Sequence, residues 1–115
     1  LHDMLIAFAD EVQQLRDRGV KDIILDPGFG FGKTLEENYR LMREMEKLHV
    51  LGLPLLVGVS RKSMIFKLLG GTPASALNGT TVLHALSLAK GASILRVHDV
   101  KEAVGAVKIV EMLNA

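Results

Sequence analysis

Three places in this 115-residue chain put polar, chemistry-bearing side chains directly after an apolar run. Asp26 closes the first run (20–26), Ser60 and Lys62 follow the second (53–59), and Arg96 and His98 close the third (93–97). A carboxylate offers only acceptors, whereas lysine and arginine offer only donors, so this set suits a ligand with both kinds of edge. Side chains two apart on an extended segment point the same way, which puts Arg96 and His98 on one side. His2, His49 and His84 fall in helical patterns with no ligand partner at metal spacing, so they read as surface or core histidines.

Between the first run and the next helix lies Pro27-Gly28-Phe29-Gly30-Phe31-Gly32-Lys33-Thr34, which must be a loop. It ends like a phosphate-binding P-loop but fails by one place. That motif needs glycine five positions before Gly32, where Pro27 stands with no N–H to give. A dinucleotide fingerprint starting at Gly28 fails as well, because it would need glycine at Lys33. Phe29 and Phe31 are left as aromatics on a glycine-hinged loop, placed to cover a flat substrate, and Lys33 is expected to hold the loop rather than to react.

The elements that must carry these groups follow from periodicity. Met4, Leu5, Phe8, Val12 and Leu15 form one helical stripe over residues 3–18, stopped by Gly19. Thr34 and Glu37 have capping-box spacing and open a helix to about Leu48. A third helix is expected from about Ser75 to Lys90. Asp99 with Glu102 is read as a second capping box, opening a final helix with Val100, Val104, Val107 and Val110 as its apolar face. The helix-stop glycines Gly19, Gly52 and Gly91 lie 33 and 39 residues apart, the mark of a repeated βα unit. Continuous apolar strands between amphipathic helices predict an α/β fold of the barrel or doubly wound kind, with parallel strands buried on both faces and chemistry at the strand C-termini. Three strands cannot close an eight-stranded barrel, which takes about 250 residues.

Composition removes several alternatives. Fourteen Lys+Arg against 13 Asp+Glu leave a net charge of +1, so no basic field is available to hold nucleic acid or an anionic membrane. With no cysteine there is no disulfide, thiolate nucleophile or cysteine metal site, a composition that fits a reducing compartment such as the cytoplasm. The longest apolar run, residues 50–59, falls short of the roughly 18 residues needed for a membrane span. The five methionines are read as packing.

Taken together, Asp26-Pro27-Gly28-Phe29-Gly30-Phe31-Gly32-Lys33, Gly58-Val59-Ser60-Arg61-Lys62-Ser63 and Leu95-Arg96-Val97-His98-Asp99-Val100 resemble the dihydropteroate synthase family. Its members join p-aminobenzoate to a dihydropterin pyrophosphate in the folate pathway. The resemblance implies the C-terminal portion, about three βα units, of a TIM (β/α)8 barrel, with residues 1–115 as one partial domain. It also implies roles. Asp26 would accept paired hydrogen bonds from the pterin edge, Lys62 would donate to the pterin, and Gly58 belongs to the same motif. Ser60 with Phe31 would orient p-aminobenzoate, and Arg96 and His98 would take the pyrophosphate. Ser60 also reads as a plain helix cap, and Arg61 equally as a salt-bridging anchor.

The family's magnesium ligand and the rest of its pterin pocket belong to earlier strands that this sequence lacks. The isolated chain is therefore expected to be catalytically inert, a piece of something longer, and to self-associate as a homodimer or otherwise through its open strand edges or last helices. Two other readings stay open. A pterin-binding methyltransferase shares the Asp26 contact but has no need of the Arg96/His98 pair, and a structural module would bind no ligand at all.

Overall fold

The computed structural model describes residues 2–30 and 32–115. Helix α1 spans His2–Asp17, and four residues of its expected stripe face inward, Val12 buried with Met4, Leu5 and Phe8 packed beside it, whereas Leu15 near the helix end is exposed. Thr34 caps α2 (Leu35–Glu44) with the anticipated capping box. Its hydroxyl accepts from Glu37 N at 3.1 Å, while Glu37 Oε1 accepts from Thr34 N at 2.9 Å. Those contacts hold the Glu37 carboxyl below its ordinary pKa. Beyond Glu44 the chain tightens into a 3-10 helix, Met45–Leu51, instead of continuing as α-helix. This turn drives Met45 and Leu48 into full burial and ends at Gly52 in the left-handed region (φ 68°).

Strand β1 (Leu56–Val57) pairs in parallel with β2 (Ile94–Leu95), with Leu56 opposite Ile94 and Val57 opposite Leu95. A parallel bridge joins Leu25 to Leu55 on the other side. The segment around Leu55 is therefore central. Leu25 N donates to Pro54 O, Leu56 N to Leu25 O, and Ser93 N to Leu55 O, all at 2.8–2.9 Å. The regular ladders are much shorter than the three apolar runs, since the outer two segments find no further strand beyond them among the described residues. The expectation of burial on both faces is also corrected. Leu25, Leu55, Val57 and Val59 are 0–3% exposed beneath the helices, whereas Ile24 and Ile94 on the opposite face are 53% and 37% exposed.

After β1 the chain forms α3 (Ser63–Leu69), which the periodicity analysis did not separate from its neighbouring loop. Seven residues with lysine as their one charge give no legible polar face; Met64 and Ile65 nonetheless reach the core. A short 3-10 turn (Pro73–Ser75) leads into α4 (Leu77–Ala89), and α5 (Val100–Leu113) completes the chain. Helix α5 is buried through Ala103 and Ala106, not through the expected valines; Val100 and Val104 remain 63% and 46% exposed. Small residues let α5 approach α4 closely, and the valines are left lining an open groove. Met42, Met45 and Met64 are core residues as expected, but Met112 is solvent-facing at the end of α5.

His84 is buried on α4, and its Nε2 has no hydrogen-bond partner among the described residues. Burial pulls its pKa below the ordinary histidine value, opposed by the nearby Asp99 charge. The unfolded chain therefore takes up this proton first as pH falls, and stability should begin to drop below about pH 6.5. Denaturant midpoints measured from pH 7.5 downward should show that decline, and His84→Leu should flatten it.

Candidate functional site

Even-numbered residues at the ends of the parallel segments share the open face of the sheet, and this alternation assembles the site. Continuing the strand register by one pair sets Gly58 beside Arg96, and by two more sets Ser60 beside His98. Gly58 is buried, and the Arg96 guanidinium lies directly over it. A Cβ built on Gly58 would stand 2.6 Å from one guanidinium nitrogen. From there Arg96 reaches Asp26 Oδ2 at 3.8 Å, while Asp26 Oδ1 accepts from Gly28 N at 2.9 Å.

Lys62 crosses from the β1–α3 loop to the glycine-rich loop, where its Nζ donates to Phe29 O at 2.5 Å and its stem packs on Gly30. Partial burial lowers its pKa, helped by the Arg96 and Lys33 charges and opposed by Asp26. Lys33 holds the same loop by donating to Gly28 O at 2.6 Å. Phe29 is not a substrate cover, because its ring is 1% exposed within the main core. Phe31 lies outside the described residues.

On the other side of Arg96, Ser60 Oγ and His98 Nδ1 are 2.8 Å apart, and His98 N donates to Ser60 Oγ at 3.3 Å. The sequence had shown no serine–histidine contact, so this pair is an addition. It is not a hydrolase triad, since the neighbouring carboxylate is engaged elsewhere. Arg61 Nε and one terminal nitrogen each donate to an Asp99 oxygen at 2.9 Å, and its other terminal nitrogen donates to Pro73 O and Ala74 O. Asp99 therefore does not cap α5 with its side chain, contrary to the capping-box reading. The fork geometry of the guanidinium favours a bidentate ion pair, and that contact depresses the Asp99 pKa. Arg61 sits in the left-handed region (φ 54°), with its own N–H donating to Thr80 Oγ1 at 2.9 Å.

Asn38 escaped sequence reading altogether. From α2, only 2% exposed, it accepts from Gly30 N at 2.7 Å and donates to Thr34 O at 3.0 Å. No motif marks it; the sole signal is an amide one turn after a capping threonine. Asn38→Leu should leave the Gly30 N–H without an acceptor and cost about 1–2 kcal/mol in urea unfolding, with faster amide exchange in the glycine-rich loop.

Asp26, Gly58, Ser60, Lys62, Arg96 and His98 thus gather at one end of the sheet, while no three metal-ligating side chains converge among the described residues. The arrangement offers acceptors at Asp26 and a donor at Lys62, with a guanidinium and an imidazole at Arg96 and His98.

Residues 1–98 match the family described as pterin binding enzyme. The dihydropteroate synthase of Escherichia coli (strain K12) is 44% identical over 106 residues, covering 90% of this chain and 38% of that protein. That of Neisseria meningitidis serogroup C is 54% identical over 94 residues, covering 80% of this chain and 33% of that one. A Yersinia pestis dihydropteroate synthase solved with a pterine-sulfa conjugate superposes with a TM-score of 0.94 at 42% identity, over 98% of this chain and 45% of that one. The chain spans about two-fifths or less of the length of these two curated relatives.

Proposed function

The chain belongs to the pterin binding enzyme family, and from that premise we propose that it is the C-terminal, ligand-holding part of a dihydropteroate synthase built as a TIM barrel. The observation that carries this reading is the gathering of Asp26, Lys62, Arg96 and His98 above one sheet face, which sets a carboxylate and an ammonium near a guanidinium and an imidazole. Asp26 and Lys62 hold the pterin edge through complementary acceptors and donors. Arg96, lying over Gly58, sits between the pterin and its leaving group, where a planar guanidinium can both stack and neutralise phosphate charge.

As the pyrophosphate departs and p-aminobenzoate attacks, negative charge grows on the leaving oxygens. Arg96 and His98 stabilise it by hydrogen bonds already in place, which is the main way such a site lowers a barrier without a protein nucleophile. Ser60 stands at the p-aminobenzoate side of this arrangement. No three metal-ligating side chains converge among the described residues, and we propose that the magnesium ligands lie in the remainder of a complete synthase.

Dihydropterin pyrophosphate added to the chain should shift backbone amide signals of the three loops carrying Asp26, Ser60–Lys62 and Arg96–His98. Asp26→Ala should weaken the pterin response and Arg96→Ala the pyrophosphate response. Shifts confined to other surfaces, or variants that bind like the parent, would overturn the proposal. Turnover by the 115-residue chain should stay at background, and light scattering should show self-association through the exposed Val100 and Val104 of α5. A monodisperse monomer would remove the second expectation.

A further inference from the structure

The contact between Ser60 and His98 can be resolved into donors and acceptors. Ser60 is 6% exposed, and its Oγ already accepts the His98 backbone N–H at 3.3 Å. The second partner is His98 Nδ1 at 2.8 Å. If Nδ1 carried the proton, Oγ would accept twice and its own O–H would need another acceptor; among the described residues Oγ has no third partner. With the serine proton directed at Nδ1, every group is satisfied. An unmet donor at so little exposure would cost far more than the alternative tautomer.

The residue that most often settles a histidine tautomer is a carboxylate on Nδ1–H. Here Asp99 is adjacent, but both of its oxygens are taken by Arg61. That ion pair joins the residue after Ser60 to the residue after His98, so it also holds the two partners face to face. The ring's other nitrogen, Nε2, makes no hydrogen bond among the described residues, on a side chain that is solvent-exposed.

We infer that Ser60 is a positioning residue that fixes neutral His98 as the Nε2–H tautomer, so that the ring presents a donor to a phosphate oxygen without needing a proton from solvent. This rests on the anion role given to His98 above and adds to it. A neutral ring with the opposite tautomer would aim a lone pair at the anion and repel it. With the serine in place, the neutral ring still presents a donor, and anion binding is uncoupled from the charge of the ring.

The test is nitrogen-15 NMR of the imidazole in the full 115-residue chain, with inorganic pyrophosphate as the probe ligand. At pH 8 the parent should show Nδ1 as the unprotonated nitrogen and Nε2 as the protonated one. Ser60→Ala should turn this into a mixture of tautomers, and Ser60→Thr, which keeps the hydroxyl, should restore it. Pyrophosphate binding by Ser60→Ala should be about twofold weaker when the ring is neutral, the loss set by the fraction in the wrong tautomer, and nearly unchanged when the ring is doubly protonated.

A protonated Nδ1 in the parent, or an unaltered tautomer in Ser60→Ala, would overturn the inference, and the first of these needs no variant to fold. Should His98→Ala bind pyrophosphate as well as the parent, the anion role of His98 falls. The tautomer measurement decides the role of Ser60 separately.

Discussion

Leu55→Ala is expected to unfold much of the chain at room temperature. Leu55 is fully buried in the smaller core cluster with Val12, Leu25 and Leu48, and its backbone is the middle of the sheet, bridged to Leu25 and accepting from both Ser93 N and Ile94 N. Removing three carbons at such a site costs about 2–5 kcal/mol through lost burial and the cavity left behind. Domains of this size hold only about 5–15 kcal/mol in total, and a sheet with one uncovered face belongs near the lower end. Urea unfolding followed by circular dichroism should show the midpoint falling sharply, with Leu68→Ala, at a 57% exposed position, within about 0.5 kcal/mol of the parent. Equal effects of the two would refute this description of the core.

Gly58→Ala should do the opposite, sparing the fold while damaging the site. Gly58 is not among the positive-φ glycines, so its backbone accepts alanine. The three atoms nearest the added methyl all belong to the Arg96 guanidinium, the closest at 2.6 Å, and that end can swing away into solvent. Doing so takes the guanidinium off Asp26 and off the sheet face. Loss of charge-assisted hydrogen bonds worth about 1.5–3 kcal/mol predicts roughly ten- to hundredfold weaker binding of dihydropterin pyrophosphate by calorimetry. Thermal unfolding should barely change. If affinity survives, Arg96 binds from somewhere other than its berth over Gly58.

Legibility of the sequence varied with the range of the interaction. Local chemistry was readable: the Thr34–Glu37 box, the α1 stripe up to Val12 and the polar ends of the three apolar runs stand where spacing puts them. Period two correctly placed Arg96 and His98 on a common side, because an extended backbone enforces it. What spacing could not show was competition between partners far apart in the chain. Asp99 has capping geometry in sequence, yet a guanidinium is a stronger partner for a carboxylate than a helix N–H, so Arg61 takes it. Phe29 looked like a loop aromatic, but a ring beside Val57 and Met64 gains more from the core than from solvent. On α5, valine pattern and alanine packing conflicted, and close helix approach decided in favour of the small residues.

The Arg61 clasp bears on the order in which the molecule comes together. Its backbone adopts an unfavourable hand for a residue with a side chain, and the contact that compensates lies 38 residues downstream in Asp99. Thr80, Pro73 and Ala74 hold that turn from the segment preceding β2, but until β2 has docked the tie to Asp99 is missing, and Ser60 and His98 are not yet face to face. Ligand capacity therefore waits on long-range contacts, because residues 96–99 must join the β1 end of the sheet before the pocket can exist.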